Sequence, residues 1–200
     1  MMRAGFALTA ILLAAAPAAA QRDAPSSVKG FFAGASLVGA SLDTDTDDDL
    51  DAFSGGGLGL ELGWGFSSGL ALFLAADGGS LDRDEVDDVE IDRRVQVDLG
   101  ARMNFGAGRR RLVPFLEAAF TGLVLEAEGA VANGAEYGGA GISIGGGVQY
   151  FVSPSISLNA GLRTTAGAIT EVKVEGEDED DVDDQFFTTS RILLGATWHP

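Results

Sequence analysis

Apolar residues recur at every second position over much of this chain. Between residues 94 and 105, RVQVDLGARMNF, the residues Val95, Val97, Leu99, Ala101, Met103 and Phe105 alternate with Arg94, Gln96, Asp98, Gly100, Arg102 and Asn104. A period of two marks a β-strand with two unlike faces. The same alternation runs through residues 58–66, 70–77, 142–150, 156–163 and 191–198. Residues 113–125 carry it less cleanly, and residues 30–42 are small and apolar on both faces. The pattern therefore predicts an all-β chain of eight strands.

The connections predicted between these strands alternate in length. DTDTDDDLDAFS (43–54), LDRDEVDDVEIDR (81–93), EAEGAVANGAEYGG (126–139) and EVKVEGEDEDDVDDQ (171–185) are long. Ser67-Ser68, GAGRRR (106–111) and Ser153-Pro154 are short. Long and short connections then lie at opposite ends of an up-and-down sheet. Aromatics supply a second pattern. Phe31, Phe32, Trp64, Phe66, Phe105, Phe115, Tyr150, Phe151 and Trp198 all sit at strand ends beside the short turns or the termini. A band of Trp, Tyr and Phe at one level suits a membrane interface, where one end of the ring is apolar and the other is wet.

Soluble folds fit less well. A β-sandwich has shorter strands and no regular long–short order of loops. A lipocalin-like barrel turns its apolar faces inward around a ligand. A disordered acidic chain lacks the strand pattern. Strands of about 9–11 residues or more, an even count, short turns at one end, long loops at the other and an aromatic girdle predict a transmembrane barrel. In lipid every backbone N–H and C=O must be paired, so the sheet must close. The expected architecture is an eight-stranded antiparallel up-and-down transmembrane β-barrel. Its apolar strand faces point outward to lipid and its charged faces point inward.

The chain resembles the small eight-stranded outer-membrane barrels of the OmpA/OmpX kind, in the outer-membrane β-barrel-domain family. LGLELGWGF (58–66), RVQVDLGARMNF (94–105), RLVPFLEAAFTG (111–122), ISIGGGVQYF (142–151) and RILLGATWHP (191–200) carry the likeness. The resemblance implies a bacterial outer-membrane location, lipid and lipopolysaccharide as surroundings, and insertion by the barrel-assembly machinery. Chains of that family usually end in an aromatic residue read by the machinery. Here Trp198, in outward phase, is followed by His199 and Pro200.

The N-terminus supports export. Residues 1–20 combine Arg3, an apolar run and small residues at Ala18 and Ala20, the layout of a cleaved signal peptide. Residues 21–28 read as a tail and 29–200 as the barrel domain. There is no cysteine, so no disulfide supports the fold.

Charge changes the picture more than composition does. The chain carries 30 acids against 13 bases. Such an excess disfavours nucleic acid as a partner, because phosphates are repelled. The first, second and fourth long connections hold 22 of the acids. Glu61, Asp77, Asp98 and Glu117 fall instead on polar strand faces. With Arg94, Arg102, Arg163 and Arg191, the acids Glu61, Asp98 and Glu117 form the expected interior network, joined by Gln96, Asn104, Ser143, Gln149 and Asn159. A barrel of eight strands is only wide enough for side chains to fill, and buried charges persist when paired. The competing expectation for this set is a narrow or gated polar channel.

Candidate chemistry beyond that is sparse. Asp43, Asp45, Asp47 and Asp49, with Asp178, Asp180 and Asp181, offer oxygen ligands for weak Ca²⁺ or Mg²⁺ binding. An EF-hand would need Gly and Glu where Asp48 and Ser54 stand. A solvated, self-repelling loop is the alternative. No other cofactor is expected. Arg109, Arg110 and Arg111 either contact phosphate headgroups or form an ordinary charged turn. The single histidine, His199, near the terminus, reads as exposed, and no cysteine nucleophile exists, so no enzyme is expected. Trp64, Phe66, Phe105, Tyr150 and Trp198 make up the expected periplasmic aromatic girdle. The expected role is structural and surface-interacting: envelope integrity, adhesion or cation-bridged contact with lipopolysaccharide, by a monomer. The alternative is a porin-like narrow channel for small ionic or hydrophobic solutes.

Overall fold

Eight strands close into a ring, each hydrogen-bonded antiparallel to its neighbours. In chain order they are β1 (Gly30–Thr44), β2 (Ala52–Gly65), β3 (Leu70–Arg83), β4 (Val89–Asn104), β5 (Leu112–Gly129), β6 (Ala135–Ser153), β7 (Ile156–Val174) and β9 (Gln185–Trp198). A short segment, β8 (Glu177–Glu179), pairs with the end of β7. Sequential neighbours pair from β1 to β7, and β9 closes the barrel by pairing with both β7 and β1. The computed structural model describes residues 28–44, 52–83, 89–129, 135–174, 177–179 and 185–200. The expected signal peptide and most of the tail lie outside the described residues.

The alternation seen in the sequence sets the faces. Along β4, Arg94, Gln96, Asp98, Arg102 and Asn104 are buried, whereas Val97, Leu99 and Met103 are exposed. Leu58, Leu60, Phe120, Ile142, Ile144 and Leu162 are also among the most exposed side chains. A water-soluble protein would bury these, so the outside of the barrel is apolar and the inside polar.

The strands are longer than the alternation alone predicts. They run 14–19 residues, with β8 apart, while a strand tilted across a bilayer needs roughly 9–11. The surplus lies at the end away from the short turns. Residues 78–83, expected as turn and loop, continue β3, and much of 126–139 and 171–174 is strand as well.

In this surplus the polarity of the wall inverts. Ala40 and Leu42 of β1, Leu81 of β3, Leu123 and Leu125 of β5, Ile169 of β7 and Phe187 of β9 form one buried cluster inside the barrel. Phe53 of β2 and Tyr137 of β6 pack against it. Ser54, Ser80, Arg93, Glu136, Thr170, Thr188 and Ser190 are exposed on the outside at this end, and Arg93 pairs with Glu126 at 3.0 Å. Where the outer wall meets water, the hydrophobic effect drives apolar groups inward. Where it meets lipid, the same groups face out. The interior is therefore apolar at this far end and carries its charges at mid-height.

The aromatic band also needs correction. Phe31, Trp64, Phe66, Phe105, Tyr150 and Trp198 are exposed on the outer wall, but Phe32, Phe115 and Phe151 are buried inside. Phe31 and Phe32, like Tyr150 and Phe151, are chain neighbours, and successive strand residues must face opposite ways. Phe151 packs with Val28, Ala107 and Val113 at the turn end of the lumen.

Candidate functional site

The mid-height interior is a chain of alternating charges that crosses the lumen. It begins at Arg94 of β4, whose Nη2 donates to Asp77 Oδ1 at 2.5 Å. The other Asp77 oxygen accepts from Arg191 Nη1 at 2.5 Å. Arg191 Nη1 also donates to Asp98 Oδ2 at 2.8 Å, and Arg163 Nη1 reaches the same oxygen at 2.6 Å. Arg163 lies 2.6 Å from Glu117 Oε1 through its Nη2. Glu117 Oε2 accepts from Arg102 Nη2 at 2.9 Å, and Arg102 clasps Glu61 through both terminal nitrogens at 2.8 and 2.6 Å. Four carboxylates thus alternate with four guanidiniums, and the chain is neutral overall.

Strand register explains who meets whom. Arg102 and Glu117 are direct partners across β4 and β5, as are Asp98 and Thr121. Arg163 and Arg191 are direct partners across β7 and β9. Like charges placed opposite each other repel. Asp98 reaches across the lumen from β4 and bridges both. Thr121 and Ser143 complete the shell of Asp98, and Gln96 donates to Thr165 at 2.9 Å. Below this level the rings of Phe73 and Phe115 lie against the Arg102 guanidinium, 5.1 and 4.6 Å from its carbon, a cation–π arrangement.

The glycines on the inner face make room for these long groups. A Cβ on Gly145 would stand 3.0 Å from Glu117 Oε1, and one on Gly100 would stand 2.8 Å from the Phe73 ring. Asp98, Gln96 and Thr165 are 0% exposed and Arg191 is 1% exposed, so the centre of the lumen is filled with side chains. Beside the chain a cavity of about 50 Å³, bordered by Glu61, Arg102, Glu117 and Arg163, has room for one or two waters.

The sequence named seven of the eight charged members. Asp77 was on the polar face but outside the expected network; the alternation fades at Gly78-Gly79, which hid the continuation of β3. Among the candidate cation ligands, Asp43 lies near the end of β1 and Asp178 in β8, while Asp45, Asp47, Asp49, Asp180 and Asp181 lie outside the described residues.

His199 is buried, contrary to expectation. It is 4% exposed, at the turn end of the lumen, with its ring 5.1 Å from that of Phe151 and 6.0 Å from that of Phe32. Ser157 Oγ lies 3.2 Å from its Nε2. The signal was its phase: after inward Thr197 and outward Trp198, residue 199 must point in. Burial, helped by the positive Arg102, pushes its pKa down from 6.5 to about 4. An unfolded chain takes up a proton at His199 near pH 6.5 that the folded chain refuses until about pH 4. The His199 contribution to stability is therefore full above pH 6.5 and declines as pH falls toward 4. Urea unfolding of the barrel in micelles at a series of pH values should show His199→Gln losing part of the wild-type decline in this window; identical pH profiles would contradict the assignment.

A closed eight-stranded barrel, apolar outside and ion-paired inside, is now established. A family model described as outer membrane protein beta-barrel domain matches residues 6–198. The chain belongs to this family. It is a protein of the bacterial outer membrane, and the short turns accordingly face the periplasm. No curated protein matches it. Among solved structures, it is similar to Neisserial surface protein A (NspA), with a TM-score of 0.59, 15% identity, and coverage of 85% of this chain and 97% of that one. OprG from Pseudomonas aeruginosa gives a TM-score of 0.56 at 12% identity, covering 88% and 98%. Ail, the attachment invasion locus protein of Yersinia pestis, gives 0.51 at 11% identity, covering 85% and 98%. At such identities the likeness is one of fold.

Proposed function

We propose that this family member is a plugged barrel whose role is structural and surface-interacting rather than catalytic or conducting. The observation that supports this reading is the neutral chain from Arg94 to Glu61, whose central members are sealed from solvent. Moving such a chain aside would expose buried charges without partners, which is costly. The outer aromatics Trp64, Phe66, Phe105, Tyr150 and Trp198 seat the barrel at the periplasmic interface. The acidic segments at the other end are the contact surface. They hold Ca²⁺ or Mg²⁺ loosely and through it meet the phosphates of lipopolysaccharide, or they meet a surface outside the cell. Ail, a barrel of the same fold, is named for attachment. The protein works as a monomer placed by the barrel-assembly machinery.

A strain lacking the protein tests this role. Complementation with the full chain should restore surface adhesion or Mg²⁺-dependent resistance to detergent. A variant with the acids of 43–51 and 177–184 replaced by Ser should fold and restore neither. Full restoration by the Ser variant would overturn the surface role. Restored uptake of small solutes, with no surface phenotype, would favour a channel.

A further inference from the structure

Two unlike features share the β4–β5 hairpin. Its periplasmic turn carries Arg109, Arg110 and Arg111, while the other two periplasmic turns, through Ser67-Ser68 and Pro154-Ser155, carry no charge. Arg109 and Arg110 are exposed and Arg111 is partly buried. None of the three makes an ion pair among the described residues. Gly106 and Gly108, at φ of 78° and 82°, shape the turn that presents them. A remaining described rim cation, Lys29, precedes β1 on the far side of the ring.

The same hairpin bears an apolar groove on its lipid-facing wall. Ala101 and Ala118 are direct partners across β4 and β5. Leu72 is the partner of Ala101 on the neighbouring strand. With Leu99, Phe120 and Ile142, these residues border a groove of about 460 Å³. Ala101 and Ala118 present only methyl groups between Leu72, Leu99, Phe120 and Ile142, and the recess lies over them. From Phe105 at the interface to Ala101 is four residues, roughly 13 Å along a strand and less in depth once strand tilt is counted. The groove therefore lies within the periplasmic half of a hydrocarbon core about 30 Å thick.

We infer that the outer face of the β4–β5 hairpin binds one anionic phospholipid of the periplasmic leaflet, with its phosphate on Arg109, Arg110 and Arg111 and an acyl chain in the groove beside Ala101 and Ala118. The charges are complementary, and Arg forks match phosphate oxygens. The separation of the two features matches one lipid molecule, whose headgroup and chain must be held at different depths. The location sets the source: groove and turn are both inside the bilayer or at its surface, where phospholipid is the available phosphate with a hydrocarbon tail.

Native mass spectrometry of the full refolded chain, with phosphatidylglycerol or phosphatidylcholine of identical chains, tests this. The wild type should retain one phosphatidylglycerol in preference to phosphatidylcholine. R109Q/R110Q/R111Q should weaken that retention by about a hundredfold, from three cations acting together. A101L/A118L, which fills the groove, should weaken both lipids. Glycerol phosphate, which has the headgroup but no chain, should fail to compete. Heat-modifiable gel migration shows whether each variant has folded, and the wild-type preference and the competition need no variant. Equal retention of the two lipids by the wild type, wild-type retention by either folded variant, or effective competition by glycerol phosphate would each overturn the site.

Discussion

Asp98→Asn lowers the stability of the folded barrel by about 3 kcal/mol or more, the scale expected when one partner of a buried ion pair is removed. Asp98 is the member on which the interior depends most. It is fully buried and accepts from Arg163 and Arg191, which stand opposite each other on β7 and β9. Without its charge these two guanidiniums face one another with Glu117, the more distant Glu61 and Asp77 at their outer sides. Arg191→Met leaves Asp98 half-served and should cost a similar amount. The double variant should lose clearly less than the sum of the single losses, because it removes charges of both signs. Equilibrium urea unfolding in micelles, followed by tryptophan fluorescence, measures all three. A single-variant loss near 0.5 kcal/mol, the scale of an ordinary surface change, would show that water or a rearranged neighbour replaces Asp98 freely.

Phe187→Ala costs about 3–5 kcal/mol, as expected for truncating an aromatic in a packed core, while Phe186→Ala costs under about 0.5 kcal/mol. The two residues adjoin in the chain and belong to different environments. Phe187 is 2% exposed within the apolar cluster of Leu42, Leu81, Leu123, Leu125 and Ile169, and Phe186 is 63% exposed on the outer wall. The contrast tests the inverted end of the barrel. If that end were only loose hairpins, both substitutions would be mild in the same unfolding experiment.

The middle of the barrel was legible from sequence because its two faces obey one rule over several residues. RVQVDLGARMNF has an apolar outer face and a charged inner face, and seven of the eight charges in the lumen could be named from phase alone. What phase does not give is distance across the lumen. That Asp98 serves Arg163 on β7 and Arg191 on β9, besides its neighbour Thr121 on β5, depends on barrel closure. The far end was illegible for a physical reason. There the wall leaves lipid, so the rule reverses, and Leu81, which is fully buried, looked like the first residue of an acidic loop. The glycines before it and the register shift between Gly79 and Leu81 concealed the strand further. His199 was misjudged by its place near the terminus, although its phase pointed inward.

The most direct measurement is ion conductance of the purified, folded full chain in a planar bilayer. A lumen closed by paired charges and capped by Phe187 and its neighbours should give no conductance steps above the bare bilayer at moderate voltage. Reproducible single-channel steps from the folded wild type would contradict the plugged barrel.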